Sequence, residues 1–115
     1  MSVTIYHNPR CSKSRQTLAL LEEQDVAPQV ELYLETPPDA ATLDRVLQQL
    51  GMEPRDLMRK KEEPYKTLGL DEASKSRDEL IAAMVANPIL IERPIVTKGN
   101  KAALGRPPEQ VLDIL

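Results

Sequence analysis

Val3-Thr4-Ile5-Tyr6-His7-Asn8-Pro9-Arg10-Cys11-Ser12-Lys13-Ser14-Arg15-Gln16-Thr17-Leu18 decides the fold of this 115-residue chain. Its opening is short, β-branched and bounded by Asn8-Pro9, so Val3 to His7 predicts a buried strand that runs into a turn. No breaker interrupts Ser12 to Gln24, where Leu18, Leu20 and Leu21 supply the apolar contacts of a helix. Cys11 is the only cysteine in the chain, and it stands at this strand-turn-helix junction. Val30 to Leu34 predicts a second strand and completes a βαβ unit.

Further along, Thr36-Pro37-Pro38-Asp39 predicts a helix start, with Thr36 as the cap and proline preset for the first turn. Leu43, Val46, Leu47 and Leu50 fall on one face of that helix, which Gly51 ends. The stretch from Glu53 to Asp78 is irregular and charged, and Pro54 and Pro64 permit only short helical pieces, so it predicts a helical cap or insertion. Ser76-Arg77-Asp78-Glu79 reads as a capping box ahead of the inward stripe Leu80, Ile81, Met84 and Val85, and Asn87-Pro88 stops this helix. Ile95 to Thr97 and Ala102 to Leu104 flank Lys98-Gly99-Asn100-Lys101, a turn with hairpin chemistry. A short helix from Pro107 is expected to dock Val111, Leu112 and Leu115. The order strand, helix, strand, helices, strand, strand, helix suits an α/β protein with a mixed sheet covered by helices.

Composition limits the function. With 41% apolar and 29% charged residues the chain has the balance of one globular domain, and a lone cysteine excludes an internal disulfide scaffold. Apolar runs such as residues 82–86 fall far short of the roughly 20 residues that cross a bilayer. The N-terminal residues enter a strand rather than a signal-peptide pattern, so a cytoplasmic protein with a reduced thiol and no membrane partner is expected. Without Trp or Phe and with a net charge of -3, the chain lacks both the stacking platforms and the cationic field of a nucleic-acid binder. Its charges are nevertheless segregated. Residues 1–21 carry Arg10, Lys13 and Arg15 with no acid, and residues 93–108 carry Arg93, Lys98, Lys101 and Arg106 with none, whereas the intervening segment holds most of the acids. Brought together by folding, the two segments would form a local electropositive site for a small anion.

A lone cysteine is ordinarily a small buried apolar residue. Here its flanks are polar and cationic. A thiol at a helix start faces unpaired backbone N–H groups and the positive end of the dipole, and both favour thiolate. Arg10, Lys13, Arg15 and nearby His7 push the same way, and Ser14 can turn its hydroxyl toward the sulfur. The predicted product is a nucleophile at neutral pH, beside donors that also suit an oxyanion. Ser14 occupies the second cysteine position of C-x-x-C, which excludes dithiol exchange within the motif. Thr17 stands where a tyrosine-phosphatase loop needs arginine, no Walker or dinucleotide loop occurs, and one Cys with one His makes no usual zinc site, so no metal is expected. A bound oxyanion would need arginines remote in sequence, with Arg59, Arg93 and Arg106 as candidates. Arg93-Pro94, entering a strand, is a candidate cis bond.

The segments Tyr6 to Arg15, Leu57-Met58-Arg59-Lys60, Glu63-Pro64-Tyr65, Leu68-Gly69-Leu70, Pro88 to Val96 and Gly105-Arg106-Pro107-Pro108 resemble, in order, the ArsC family of glutaredoxin-dependent arsenate reductases. The resemblance implies a thioredoxin-like fold, a mixed four-stranded sheet with a helical insertion near residues 36–87, within a single domain spanning 1–115. It implies Cys11 as nucleophile, Arg59, Arg93 and Arg106 as catalytic and anion-binding arginines, His7, Ser14 and Arg15 as groups that tune the thiolate, and a structural cis-proline at Pro94. The implied reaction converts arsenate, or a similar oxyanion, to arsenite through a cysteine-arsenic adduct. Glutathione serves as co-substrate, glutaredoxin as partner, and no cofactor is bound. Arg10, Ser12 and Lys13 make the cysteine segment more basic than in the familiar reductases, and the chain ends at Leu115, resembling a shorter branch of the family.

Two other functions fit the same residues. One is a glutathione-linked thiol oxidoreductase without arsenate activity. The other is a regulatory binding module similar to the Spx proteins that contact RNA polymerase, although those commonly use the C-x-x-C switch that Ser14 removes.

Overall fold

Strand alternation sets the first feature of the fold: Val3 and Ile5 of β1 (Val3–Tyr6) point inward, and the same parity buries His7 one residue beyond the strand. The computed structural model describes residues 2–115, which fall into two units, one made of the chain up to Thr36 together with Arg93–Leu115 and the other of Pro37–Glu92.

In the first unit, α1 (Ser12–Glu23) is the crossover between β1 and β2 (Gln29–Glu31), as a parallel pair requires. The hairpin β3 (Ile95–Lys98) and β4 (Lys101–Leu104) completes a sheet of order β2-β1-β3-β4. β1 runs parallel to β2 with Ile5 opposite Val30, and antiparallel to β3 with Ile5 opposite Val96. Ile95 of β3 lies opposite Leu104. Gly99 takes φ 60 in the two-residue hairpin turn, a backbone region glycine enters without steric cost. Val3, Ile5, Leu21, Val96 and Val111 form the core between sheet and helices, with Leu18, Leu20 and Ile114 against it. Full burial of Leu21 alone contributes roughly 1.5–3 kcal/mol.

Two expectations for this unit are corrected. β2 is Gln29–Glu31 rather than Val30 to Leu34, because the backbone turns as soon as the strand ends: Glu35 and Thr36 both donate their N–H to the Leu32 carbonyl at 2.9 Å. Tyr33 is buried inside that turn while Leu32 and Leu34 face solvent. The C-terminal segment is a 3-10 helix, Pro108–Ile114. Three residues per turn align Pro108, Val111 and Ile114 on one side, so Leu112 and Leu115 are exposed rather than docked.

The second unit holds α2 (Ala40–Leu50), a 3-10 turn at Pro54–Leu57, α3 (Glu63–Thr67), α4 (Arg77–Ala86) and a further 3-10 turn at Pro88–Leu90. Asp39, not Thr36, caps α2, its Oδ1 accepting the Thr42 N–H at 2.8 Å. A cap at Thr36 would make Pro37 the first helical residue, and Pro37 precedes a second proline that disfavours helical backbone there, so the helix starts later and Asp39 is the first side-chain acceptor after both prolines. Gly51 closes α2 at φ 68, and the Ser76–Glu79 capping box opens α4. The buried stripes Leu43, Val46, Leu47 and Leu80, Ile81, Met84 pack α2 on α4, and Arg77 clamps Asp44 with two N–H bonds to Oδ1. Arg59 N–H to the Leu90 carbonyl at 2.7 Å and Glu92 N–H to the Leu57 carbonyl at 2.8 Å tie residues 90–92 to this unit.

Candidate active site

The turn after β1 is built by Asn8. Its carbonyl accepts the Cys11 N–H at 3.0 Å, its Oδ1 accepts the Arg10 N–H at 3.0 Å, and its own N–H goes to Ser14 Oγ at 3.0 Å. Such a side chain bonding its own backbone two residues on is the mechanism that makes Asn a turn former. Arg15 reinforces the turn by donating Nη1–H to the Pro9 carbonyl at 2.9 Å. Cys11 consequently lands at the N-cap of α1 in extended backbone (φ -93, ψ 125), its carbonyl already accepting the first helical N–H from Arg15. No acid occupies the first helical turn.

The sulfur does not complete a cap hydrogen bond in ordinary geometry, yet the amides of the first turn act on it. Burial opposes ionisation of the Cys11 thiol. That effect is outweighed by the Ser14 backbone N–H, the positive charge of Arg93, the Lys13 backbone N–H and an N–H donated by Arg93, which together hold the thiol below its ordinary value. The guanidinium comes from the far end of the sequence, and its Nε and Nη1 are shut off from solvent. A planar donor group beside a half-buried thiolate can hold an incoming oxyanion and the attacking sulfur together.

Three contributions differ from the expectation, those of Ser14, His7 and Arg15. The Ser14 hydroxyl meets His7 Nδ1 at 2.6 Å and accepts from Asn8, while the Ser14 backbone N–H is the group that acts on the sulfur. His7 is only 6% exposed, and burial, then the charge of Arg15, lower its pKa from 6.5, so the ring is uncharged at neutral pH and lends the thiolate no positive charge. Arg15 holds the Pro9 carbonyl.

Arg106 donates Nη1–H to the Arg93 carbonyl at 3.1 Å, joining the second predicted arginine to the first. The Arg93–Pro94 and Arg106–Pro107 peptide bonds are both cis. Between them Gly105 N–H bonds the Pro94 carbonyl at 2.9 Å, and a Cβ at Gly105 would lie 2.6 Å from Thr17 Oγ1 and 2.7 Å from Pro94 Cγ. Glycine is thus required for the approach of this loop to α1. Arg59 belongs to the second unit, where it pairs with Glu62 at 2.8 Å and with Glu92 at 3.9 Å. Asn8 and Gly105, which the sequence places only in a turn and in a family segment, gain a role at the site from the structure. Asn8 carried a signal in the Asn-Pro pair, whereas nothing local marked Gly105. Among the described residues no three His, Cys, Asp or Glu side chains gather as a metal site, and no helix is long and apolar enough to cross a membrane.

A βαβ unit and an antiparallel hairpin in one mixed sheet, with an ionisable cysteine at the start of the first helix, define a thioredoxin-like thiol protein. The ArsC family profile matches residues 6–114, and the chain belongs to that family. It is 52% identical to an arsenate reductase of Haemophilus influenzae over the whole of both chains. With an Escherichia coli arsenate reductase it shares 47% identity over 99% of this chain and 81% of that one. The solved structure of an arsenate reductase from Vibrio cholerae, 61% identical, superposes with a TM-score of 0.96 over 100% of this chain and 98% of that chain.

Proposed function

We propose that this protein is an arsenate reductase that works through Cys11, with glutathione and glutaredoxin as its thiol partners. One observation carries the reading: a thiol held toward its anion by helix-start amides lies within reach of a guanidinium that can hold an oxyanion. Cys11 thiolate attacks arsenic, a sulfur-arsenic bond forms, and one arsenate oxygen leaves as water after taking up protons. Glutathione sulfur then attacks the adduct, and a second thiol, from glutaredoxin, completes the reduction. Summed over the cycle, one arsenate and two thiols give one arsenite, one disulfide and water. The electrons come from the thiols, so the reading calls for no resident redox cofactor, and it places the protein in a reducing, cytoplasmic setting.

Within this reading Arg93 neutralises the oxyanion and the charge that builds in the transition state, Arg106 braces the Arg93 backbone and supplies a further guanidinium, and Arg59 is the third arginine that the family resemblance assigns to the anion. His7 and Ser14 keep the Cys11 turn in register. The test is arsenite production by the folded protein supplied with glutathione and glutaredoxin. Turnover that disappears in Cys11→Ser is expected. Well-folded protein that forms a mixed disulfide at Cys11, yet makes no arsenite and gains no protection from arsenate, would move the assignment to a thiol oxidoreductase.

A further inference from the structure

Beside the cysteine turn the first unit has an open groove of about 400 Å3, inside the range of small-molecule sites, roughly 300–1,000 Å3. One wall is the 7–10 turn that leads directly into Cys11, and the other is the turn after β2 with Leu32, Leu34 and Glu35. Tyr33 is buried at 1% exposure and anchors that second turn, which leaves Leu32 and Leu34 outward at 36% and 40%. Solvated leucines paired on a groove wall are apolar area awaiting cover.

The charges in the groove describe what covers it. Arg10 and Glu35 both line it, both are exposed, and among the described residues neither forms an ion pair, with the other or with any neighbour. Two unpaired opposite charges that share a groove without closing on each other match a ligand bearing a carboxylate and an ammonium group on separate arms, with aliphatic atoms between them to lie on the leucines. His7 also lines the groove, with Nδ1 already engaged by Ser14. We propose that this groove binds the small thiol co-substrate, a zwitterionic peptide thiol of the glutathione kind, with its carboxylate on Arg10, its ammonium on Glu35 and its aliphatic atoms on Leu32 and Leu34. The ligand's name as co-substrate rests on the reductase reading, while the binding itself does not.

The test uses S-methylglutathione, which carries both charges and cannot react, titrated into Cys11→Ser protein at low salt and followed by calorimetry or amide chemical shifts. Saturable binding that perturbs the 7–10 and 32–35 turns is expected. Glu35→Gln and Arg10→Gln should each weaken it about threefold, in line with exposed ion pairs, and added salt should weaken the parent more than the double variant. Leu34→Asp should weaken it further. Absence of binding at millimolar probe, shifts confined to other surfaces, or affinity unchanged by all three variants would overturn the proposal. Reduction by glutaredoxin that slows in these variants while probe affinity stays constant would also overturn it, since the groove would then serve a protein thiol. No arsenate enters this titration, so the failure of arsenite turnover and the failure of the groove are separately visible.

Discussion

The helix starts of the two units are finished in opposite ways. In the second unit α2 has the Asp39 carboxylate on Thr42 N–H, and α4 has a full Ser76–Glu79 box with Asp78 and Glu79 in its first turn. α1 of the first unit has neither: its cap is Cys11, no cap hydrogen bond closes, and no acid follows. Helix ends left without partners lose stability, so an end kept open beside a guanidinium is a place where a helix gives up local stability to favour an anion of its own making, the Cys11 thiolate, and in the proposed reading an oxyanion beside it. The same contrast is written in the charges, since acids dominate between residues 22 and 92 and are missing from both segments that supply the site.

The largest effect expected from breaking this contrast is Cys11→Ser. Serine is a good N-cap, so the unfolding midpoint should hold or rise while arsenite turnover falls by at least roughly 10³-fold. A variant that turns over, or one that is strongly destabilised, would show that this helix start is structural like the other two. Arg93→Lys keeps a charge but loses the planar fork, and a loss of about 10–100-fold in kcat/KM for arsenate is expected. Arg93→Ala removes both the charge and the donated N–H that lower the Cys11 pKa, so the pH profile of iodoacetamide labelling should move to higher pH. A profile that stays in place would leave the helix amides as the sole cause.

Gly105→Ala tests the approach of the arginine loop to α1. The new methyl would meet Thr17 Oγ1 and Pro94 Cγ under 3 Å, and overpacking of this kind costs about 1–3 kcal/mol. Truncating Thr17 as well should recover only part of the loss, because the Pro94 contact remains. On the other side of the comparison, Ser76→Ala in α4 should cost about 1 kcal/mol in denaturant unfolding and leave Cys11 labelling unchanged, as befits a cap whose role is stability alone.

Much of this arrangement was legible in the residues, and the part that was legible is local. The short β-branched run from Val3, the stripe Leu43, Val46, Leu47, the glycine stop at Gly51 and the Ser76 box each depend on neighbours within one element. Cys11 at the helix start belongs to the same class. What the residues did not disclose depends on distance through space. Sequence proximity pointed to Arg10, Lys13 and Arg15 as the charges on the sulfur, whereas the one that acts is Arg93, 82 positions away, and Arg15 turns instead to the Pro9 carbonyl. Gly105 against Thr17 has the same character, for no periodicity records a missing methyl. The 3-10 geometry of Pro108–Ile114 was hidden because its apolar residues satisfy either period until burial separates Val111 from Leu112.

The smallest expected effect concerns His7, the only histidine of the chain. Its folded pKa is lowered, so the unfolded chain binds the proton more readily, and below pH 6.5 unfolding takes up a proton that the folded ring resists. The sign follows: the stability linked to His7 is complete above 6.5 and is lost as pH falls through the folded pKa. Protonating the ring would also bring a charge to Nδ1 beside Ser14 Oγ, the atom that receives the Asn8 N–H and holds the cysteine turn. Acid should therefore loosen the site before it loosens the second unit. Denaturant midpoints of the parent should drop between pH 7.5 and 5.5 by more than those of His7→Gln, and hydrogen exchange should report the excess at the amides of residues 8–14. Equal slopes for the two proteins would mean that the ring is not held neutral by its surroundings, and the low charge state assigned to His7 would have to be abandoned.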